Sequence, residues 1–323
     1  GEEMKNDVIK RTLSNGINVY LYVDESLKRV VASYNVNYGT LGFFDRFYYD
    51  EKPYSVPPAM AHFLEHTLVE TAKEGNMLLK FKEKSYETNA VTGLEWTSFY
   101  FVGIKDTWEA IKQLIKMVDE PNFDAENIEK VKNAVIEEAK MKMDSKYQHG
   151  RNANRRNATL AYEACHESYN ILGTCETTKS ITLEDVRVCY DAYYYNDNKC
   201  LVIGGNFDVE EMIDYLEKVY EEVPSHPKKM REMDYGDLLP IRKTYEELDR
   251  PVANDYVITS FKMRNDFKKE KIVVDLYLYI FLRMKFGSDM DFVMKLAHDK
   301  IIIGGVGHSC FYFKDTLTIT FSA

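Results

Sequence analysis

Between residues 17 and 23 the chain reads Ile-Asn-Val-Tyr-Leu-Tyr-Val, an apolar–polar alternation with the two-residue period of a half-buried strand. Positions 30–38 alternate in the same way and run into Gly39, and Asn15-Gly16 ahead of the first run is a turn signal. These two strands are expected to pair as a hairpin. Residues 40–57 are aromatic and irregular, after which Pro57-Pro58 leads into a helix with Ser55 as its expected N-cap. A second helical pattern covers 76–84, and 97–104 is strand-like. Over 107–119, Trp108, Ile111, Leu114, Ile115 and Val118 fall on one side of a helix that Pro121 breaks. Asp124 caps the next helix, 125–143. Residues 151–167 also read as helical.

Thr182, with Asp185 three residues later, opens a helix reaching about residue 194, 200–204 is a short buried strand, and Asp208 caps a helix to about 222. Pro224, Pro227 and the charged residues up to Pro240 read as a linker. Beyond it the order restarts: a strand at 255–263, helices at 270–285 and 289–299, then strands at 305–313 and 315–322. The pattern predicts two similar halves, residues 1–228 and 244–323, joined by a linker at 229–243. The second half is much the shorter and reads as truncated.

Composition narrows the function classes. A length of 323 residues exceeds one ordinary core, and 45% hydrophobic residues suit a globular protein. The net charge of −10 argues against a nucleic-acid partner, whose phosphates it repels. No apolar run has the length of a membrane span, and the N-terminus lacks a signal peptide's apolar stretch. The five cysteines, Cys165, Cys175, Cys189, Cys200 and Cys310, are odd in number and form no C-x-x-C pair, which fits reduced thiols in a cytoplasmic protein.

Candidate chemistry sits at the start of the expected helix after Pro58. His62, Glu65 and His66 spell H-x-x-E-H, the inverted form of a zinc-peptidase signature. On a helix, His62 and His66 lie one turn apart on one face, a spacing that lets two imidazoles share a tetrahedral zinc. Glu65 is then placed to hold the water such a metal acidifies. A catalytic zinc takes a third protein ligand. In the helix at 125–143, Glu137 shares its face with Lys130, Asn133 and Lys140 and reads as solvated. Glu138 lies with Val131, Ala134, Val135 and Met141, on or beside the apolar stripe. An inward carboxylate there needs a cation, which makes Glu138 the candidate third ligand; the alternative is that it bends out to solvent from the stripe's edge. A structural zinc site fits poorly, because no cysteine lies near His62. His149 and His166 flank Arg151, Arg155 and Arg156, which read as a solvated basic patch.

This combination resembles the pitrilysin or insulinase-type zinc peptidases. Asn89-Ala-Val-Thr92 followed by Thr97-Ser-Phe-Tyr100 is similar to that family's N-A-x-T and T-x-Y-Y segments, and the passage from Tyr193 to Asp208 also matches in order. The nearest resemblance is to small bacterial members in which a chain carrying the motif pairs with a homologous chain lacking it. The resemblance implies an α+β fold of mostly antiparallel sheets covered by helices. It implies one zinc held by His62, His66 and Glu138, with Glu65 as general base, and Asn89 and Ala90 on an exposed edge strand that takes a peptide substrate as an added strand. Its partners are then a peptide and a homologous subunit or a second copy. Two departures stand out: Val131 occupies a place where the family often has a glutamate, and the family's second-half arginine and tyrosine have no identified match before residue 323. Two functions follow, a zinc endopeptidase for extended or unfolded peptides, with maturation of a small precursor as one use, or a peptide-binding or partner-dependent subunit inactive alone.

Overall fold

The structure, a computed structural model, describes residues 8–71, 75–143, 153, 156–157, 160–163, 172–249, 255, 257–266, 271–286, 291–303 and 305–323. The chain divides into two compact units, Gly1–Met141 with Asn170–Met233, and Lys142–Tyr169 with Asp234–Ala323. The helical reading of 151–167 falls mostly outside the described residues.

The first unit is built on a sheet of six strands. In chain order its elements are β1 (Ile9–Thr12), β2 (Asn18–Val23), β3 (Val30–Val36), β4 (Arg46–Tyr49), β5 (Lys52–Ser55), α1 (Met60–Val69), β6 (Glu70–Thr71), β7 (Gly75–Asn76), α2 (Met77–Glu83), β8 (Glu87–Thr92), β9 (Thr97–Gly103), α3 (Thr107–Asp119), α4 (Ala125–Met143), α5 (Cys175–Ser180), α6 (Leu183–Tyr193), β10 (Lys199–Gly205), α7 (Val209–Glu221) and β11 (Met230–Glu232). The large sheet runs β1-β2-β10-β3-β9-β8, antiparallel except for the β2–β10 pair. Alternation sends Val19, Leu21, Ala32, Tyr34, Leu201, Ile203, Phe99 and Phe101 to one face, where all are fully buried. The amphipathic helices α3 and α7 bury Ile111, Leu114, Ile115, Met212 and Leu216 in the same core.

The expected hairpin of the first two long strands does not form. β2 pairs instead with β1, through the Asn15-Gly16 turn, in which Gly16 adopts φ +92° and donates its N–H to the Leu13 carbonyl at 2.9 Å. β10 is inserted between β2 and β3, with Leu201 opposite both Val19 and Tyr34. The connection from Val23 to Val30 steps across it, tied at Asp24, whose N–H donates to the Gly205 carbonyl at 3.0 Å. Skipping one strand is a step of only about 9–10 Å, within reach of six residues.

The insertion is secured by a buried charge pair. Lys199, the first residue of β10, donates to Asp119 Oδ1 at 2.6 Å at the end of α3, and both side chains are at most 1% exposed. The Tyr34 hydroxyl donates to the other carboxylate oxygen at 2.6 Å, and Tyr220 donates to Tyr34 at 3.0 Å. Burial pulls the Lys199 pKa down and the Asp119 charge opposes it. Burial and then Asp119 push the Tyr34 phenol well above its ordinary value, so it remains a donor.

The aromatic stretch 40–57 holds β4 and β5, and β11, from within the stretch read as linker, completes a small sheet ordered β11-β4-β5. Its hairpin is hard to recognise because Asp50 and Glu51, at φ 46° and 61°, occupy a two-residue turn that usually selects Asn-Gly. Phe47 is fully buried and stacks on Tyr54 at 5.9 Å. The helix caps form as the pattern predicts: Thr182 accepts from the Asp185 N–H at 3.1 Å, Asp208 from Glu210 and Glu211 at 2.9 and 3.0 Å, and Asp124 from Asn127 at 2.9 Å.

The second unit holds β12 (Ile258–Arg264), α8 (Lys271–Phe286), α9 (Asp291–His298), β13 (Gly307–Phe313) and β14 (Thr316–Ser322), with the sheet ordered β12-β14-β13. The first unit contains the same arrangement: a strand, β3, then α1 and α2, then the hairpin β8–β9, with β3 laid antiparallel against β9. The recurrence seen in the pattern is thus one of topology. Within this unit Lys262 donates to the carbonyls of Leu238 and Pro240, each at 2.7 Å, and to that of Ala161. The fold is α+β with mainly antiparallel sheets. No helix among the described residues is long and apolar enough to cross a membrane.

Removing one member of the Lys199–Asp119 pair strands the other charge in the core. Lys199→Met is expected to lower the unfolding free energy by about 3–5 kcal/mol, and a Lys199→Met/Asp119→Leu double variant to recover much of that loss. Urea unfolding followed by circular dichroism measures both.

Candidate metal centre

Three segments of the first unit meet at the H-x-x-E-H motif. The motif lies on α1, where every residue except His66 is buried. The chain does not enter α1 through a Ser55 cap. Ser55 ends β5 opposite Arg46, because the following Val56-Pro57-Pro58 holds the backbone out of the helical region. The helix begins at Met60 behind Ala59, which takes the left-handed conformation at φ 70° and supplies no side-chain cap.

His62 and His66 lie on one face of α1, with ring centroids 4.6 Å apart and planes at 68°. The Glu138 carboxylate reaches between them: its Oε2 is 3.1 Å from His66 Nε2 and 3.6 Å from His62 Nε2. On α4 the buried stripe is Ile128, Val131, Val135, Ile136 and Ala139. Ala134 and Met141 are exposed, so Glu138, 27% exposed, stands at the stripe's edge and turns inward to the histidines. Glu137 is exposed and paired with Lys140 at 2.7 Å. Val131, two helical turns before Glu138, is buried in the core.

This set is sterically suited to a metal. One ligand atom from each of His62, His66 and Glu138 falls within 4.8 Å of the other two. A tetrahedral zinc with bonds of roughly 2.1 Å sets its ligand atoms about 3.4 Å apart, between the two measured His–Glu separations. Two imidazoles and one carboxylate are also the donor types such an ion takes when a fourth position is kept for water.

A second contact sets where α4 lies. Glu70, directly after α1, accepts from Asn127 Nδ2 at 2.5 Å through its backbone carbonyl, and from Lys130 through its carboxylate. Asn127 is 3% exposed and stands three helical turns before Glu138, on nearly the same face. The tie fixes the register of α4 along α1 and hence the height of Glu138 against the two histidines.

Glu65, three residues after His62 on α1, is 7% exposed and its carboxylate reaches β8. Its Oε2 accepts a hydrogen bond from Thr92 Oγ1. Thr92 and Thr97 are the last cross-strand pair of the β8–β9 hairpin, their hydroxyl oxygens 3.4 Å apart, and Thr97 donates to the Tyr38 carbonyl at 2.8 Å. The Tyr194 phenol is fully buried in the same region, where burial and then the Glu65 charge raise its pKa well above the ordinary value. In the sequence Thr92 stands only as the end of the N-A-x-T segment, and nothing local announces its contact with a helix 27 residues away.

β8 is the terminal strand of the large sheet, and among the described residues no strand pairs with its far side. Alternation along it exposes Asn89 and turns the half-buried Ala90 toward the core. Of the histidine and arginine patch noted in the sequence, His149, Arg151, Arg155 and His166 lie outside the described residues, and Arg156 is paired with Glu246 at 2.6 Å.

The chain aligns with an uncharacterized zinc protease of Bacillus subtilis (strain 168), YmfH, at 26% identity over 297 residues, which is 89% of this chain and 67% of that protein. A family model described as Peptidase M16 inactive domain matches residues 180–281. The chain is M16 peptidase-like. Solved M16-type structures share its fold. An M16-like protein from Alicyclobacillus acidocaldarius superposes with a TM-score of 0.83 at 24% identity, over 99% of this chain and 75% of that one. Pitrilysin superposes with a TM-score of 0.69 at 17% identity, over 100% of this chain and 34% of pitrilysin. The family match does not include His62, Glu65, His66 or Glu138, the candidate ligands and base.

If Asn127 sets the height of Glu138, Asn127→Leu is expected to weaken zinc binding about tenfold, within the range for residues that orient metal ligands. Lys130→Ala, which removes an exposed partner of Glu70, is expected to leave zinc binding nearly unchanged. Competition titration against a chromogenic chelator measures the difference.

Proposed function

We propose that this chain is a zinc-dependent endopeptidase that hydrolyses extended or unfolded peptides, with maturation of a small peptide precursor as one use. The observation that carries the reading is the convergence of His62, His66 and Glu138 beside a buried glutamate and an open sheet edge. His62, His66 and Glu138 hold one zinc ion per chain. Zinc bound there supplies an acidified water and a Lewis acid for the scissile carbonyl. β8 receives the peptide as an added strand along Asn89 and Ala90, which reads backbone rather than side chains and so favours unfolded substrates. Glu65 takes the proton of the attacking water as its oxygen bonds to the carbonyl carbon. It then delivers that proton to the leaving nitrogen as the C–N bond breaks, giving a carboxylate and an amine.

A second reading has the chain as a peptide-binding or partner-dependent subunit, inactive alone. It is favoured by the inactive-domain type of the family match over 180–281. On that reading the partner is a homologous peptidase-like subunit or a second copy. A cytoplasmic setting is proposed from the cysteines, odd in number and with no C-x-x-C pair, of which Cys175, Cys189 and Cys200 are thiols.

The test is cleavage of an unfolded, fluorescence-quenched peptide by the purified chain. Glu65→Gln is expected to keep its zinc, counted by mass spectrometry, and lose kcat by about 10²–10⁴-fold. Glu138→Gln is expected to lose the zinc itself. Undiminished cleavage by Glu65→Gln sinks the peptidase reading, whereas a zinc-loaded wild-type chain that binds peptide without cutting it supports the subunit reading.

A further inference from the structure

Thr92 makes a contact that neither the motif nor the proposed chemistry requires. Glu65 is a carboxylate on a helix buried on nearly every side, and an ionised carboxylate can only accept hydrogen bonds. The donor that meets it, Thr92, is itself 7% exposed and comes from β8, the edge strand at which a peptide is proposed to add. Thr97 has its proton committed to the Tyr38 carbonyl, so within the Thr92–Thr97 pair it can only accept. The carboxylate sets the direction of the contact: the single Thr92 proton goes to Glu65, and the 3.4 Å approach of Thr97 is no competing donor. Threonine suits the task because its β-branch restricts χ1 and holds the hydroxyl in one direction.

We infer that Thr92 is a positioning residue for the base: its hydroxyl fixes the Glu65 carboxylate, and it does so from the strand that registers the substrate. The inference rests on the peptidase reading above. Thr92 follows Asn89 and Ala90 by three and two residues, about 7–10 Å along the strand. A peptide laid against β8 and a carboxylate held by Thr92 thus share one rigid reference. The orientation of the base and the register of the scissile bond are set by a single element, and a shift of β8 moves both together.

Substitution separates this from a structural role. Thr92→Val keeps the shape and removes the hydroxyl, and Thr92→Ser keeps the hydroxyl and removes the methyl. On the full chain with the quenched peptide, Thr92→Val is expected to lower kcat by about 10–100-fold, the scale of a misplaced reacting group, with KM within about twofold and the zinc count unchanged. Thr92→Ser is expected to recover kcat to within about threefold of wild type. Wild-type kcat in Thr92→Val, equal losses in the two variants, or a loss expressed only in KM or in zinc content overturns the inference. If Thr92→Val does not fold, Thr92→Ala against Thr92→Ser makes the same comparison. If the wild-type chain cuts no peptide, the peptidase reading fails on that result, and a crystal structure of Thr92→Val still decides the positioning. A Glu65 carboxylate turned from its wild-type direction upholds it, and an unmoved one overturns it.

Discussion

A helix buried on nearly every side cannot leave its polar side chains to water, and α1 carries three of them in one turn. His62 and Glu65 are 6% and 7% exposed, and His66 opens only in part. The cost of an unmet charge or ring nitrogen at such depth is several kcal/mol. Everything packed against α1 follows from that constraint. A carboxylate from α4 comes to the histidines, and a hydroxyl from β8 comes to the glutamate. Neither partner is near in sequence, so the fold itself has to deliver them.

The delivery is mechanical. α4 is latched to the end of α1 by Asn127 and Lys130 on Glu70, and this sets where Glu138 stands. β8 is held by its pairing with β9, which in turn pairs with β3 in the buried centre of the sheet. Each group in the cluster is thus carried on a helix or strand with packed support. Sites built this way hold their geometry more closely than sites built on loops.

The local pattern made a good part of this legible and left the rest closed for identifiable reasons. Helical period alone placed His62 and His66 on one face and told Glu138 from Glu137, because a helix relates residues three and four apart. The caps at Thr182, Asp208 and Asp124 were readable for the same reason, since each concerns only its own first turn. Ser55 misled because Pro57 and Pro58 read as first-turn residues, whereas the helix begins only at Met60, beyond both. Pairing was out of reach: the alternation at 17–23 and 30–38 marks strands but carries no record of which strand lies between them. The hairpin at Asp50-Glu51 hid behind a turn that lacks the usual glycine. Thr92 hid because its partner sits 27 residues away on another element.

The insertion of β10 imposes an order on the life of the chain. β2 and β3 leave the ribosome early, yet the strand that fills the gap between them begins only at Lys199. Until it arrives, two apolar strands present unpaired edges and Asp119 waits without its ammonium partner. Synthesis at roughly 5–20 residues per second makes that interval on the order of ten seconds or more. Open edges of this kind can recruit other chains, so the nascent protein carries an aggregation hazard until the sheet closes. The topology that gives the finished core its anchor also makes its assembly non-local and correspondingly slow.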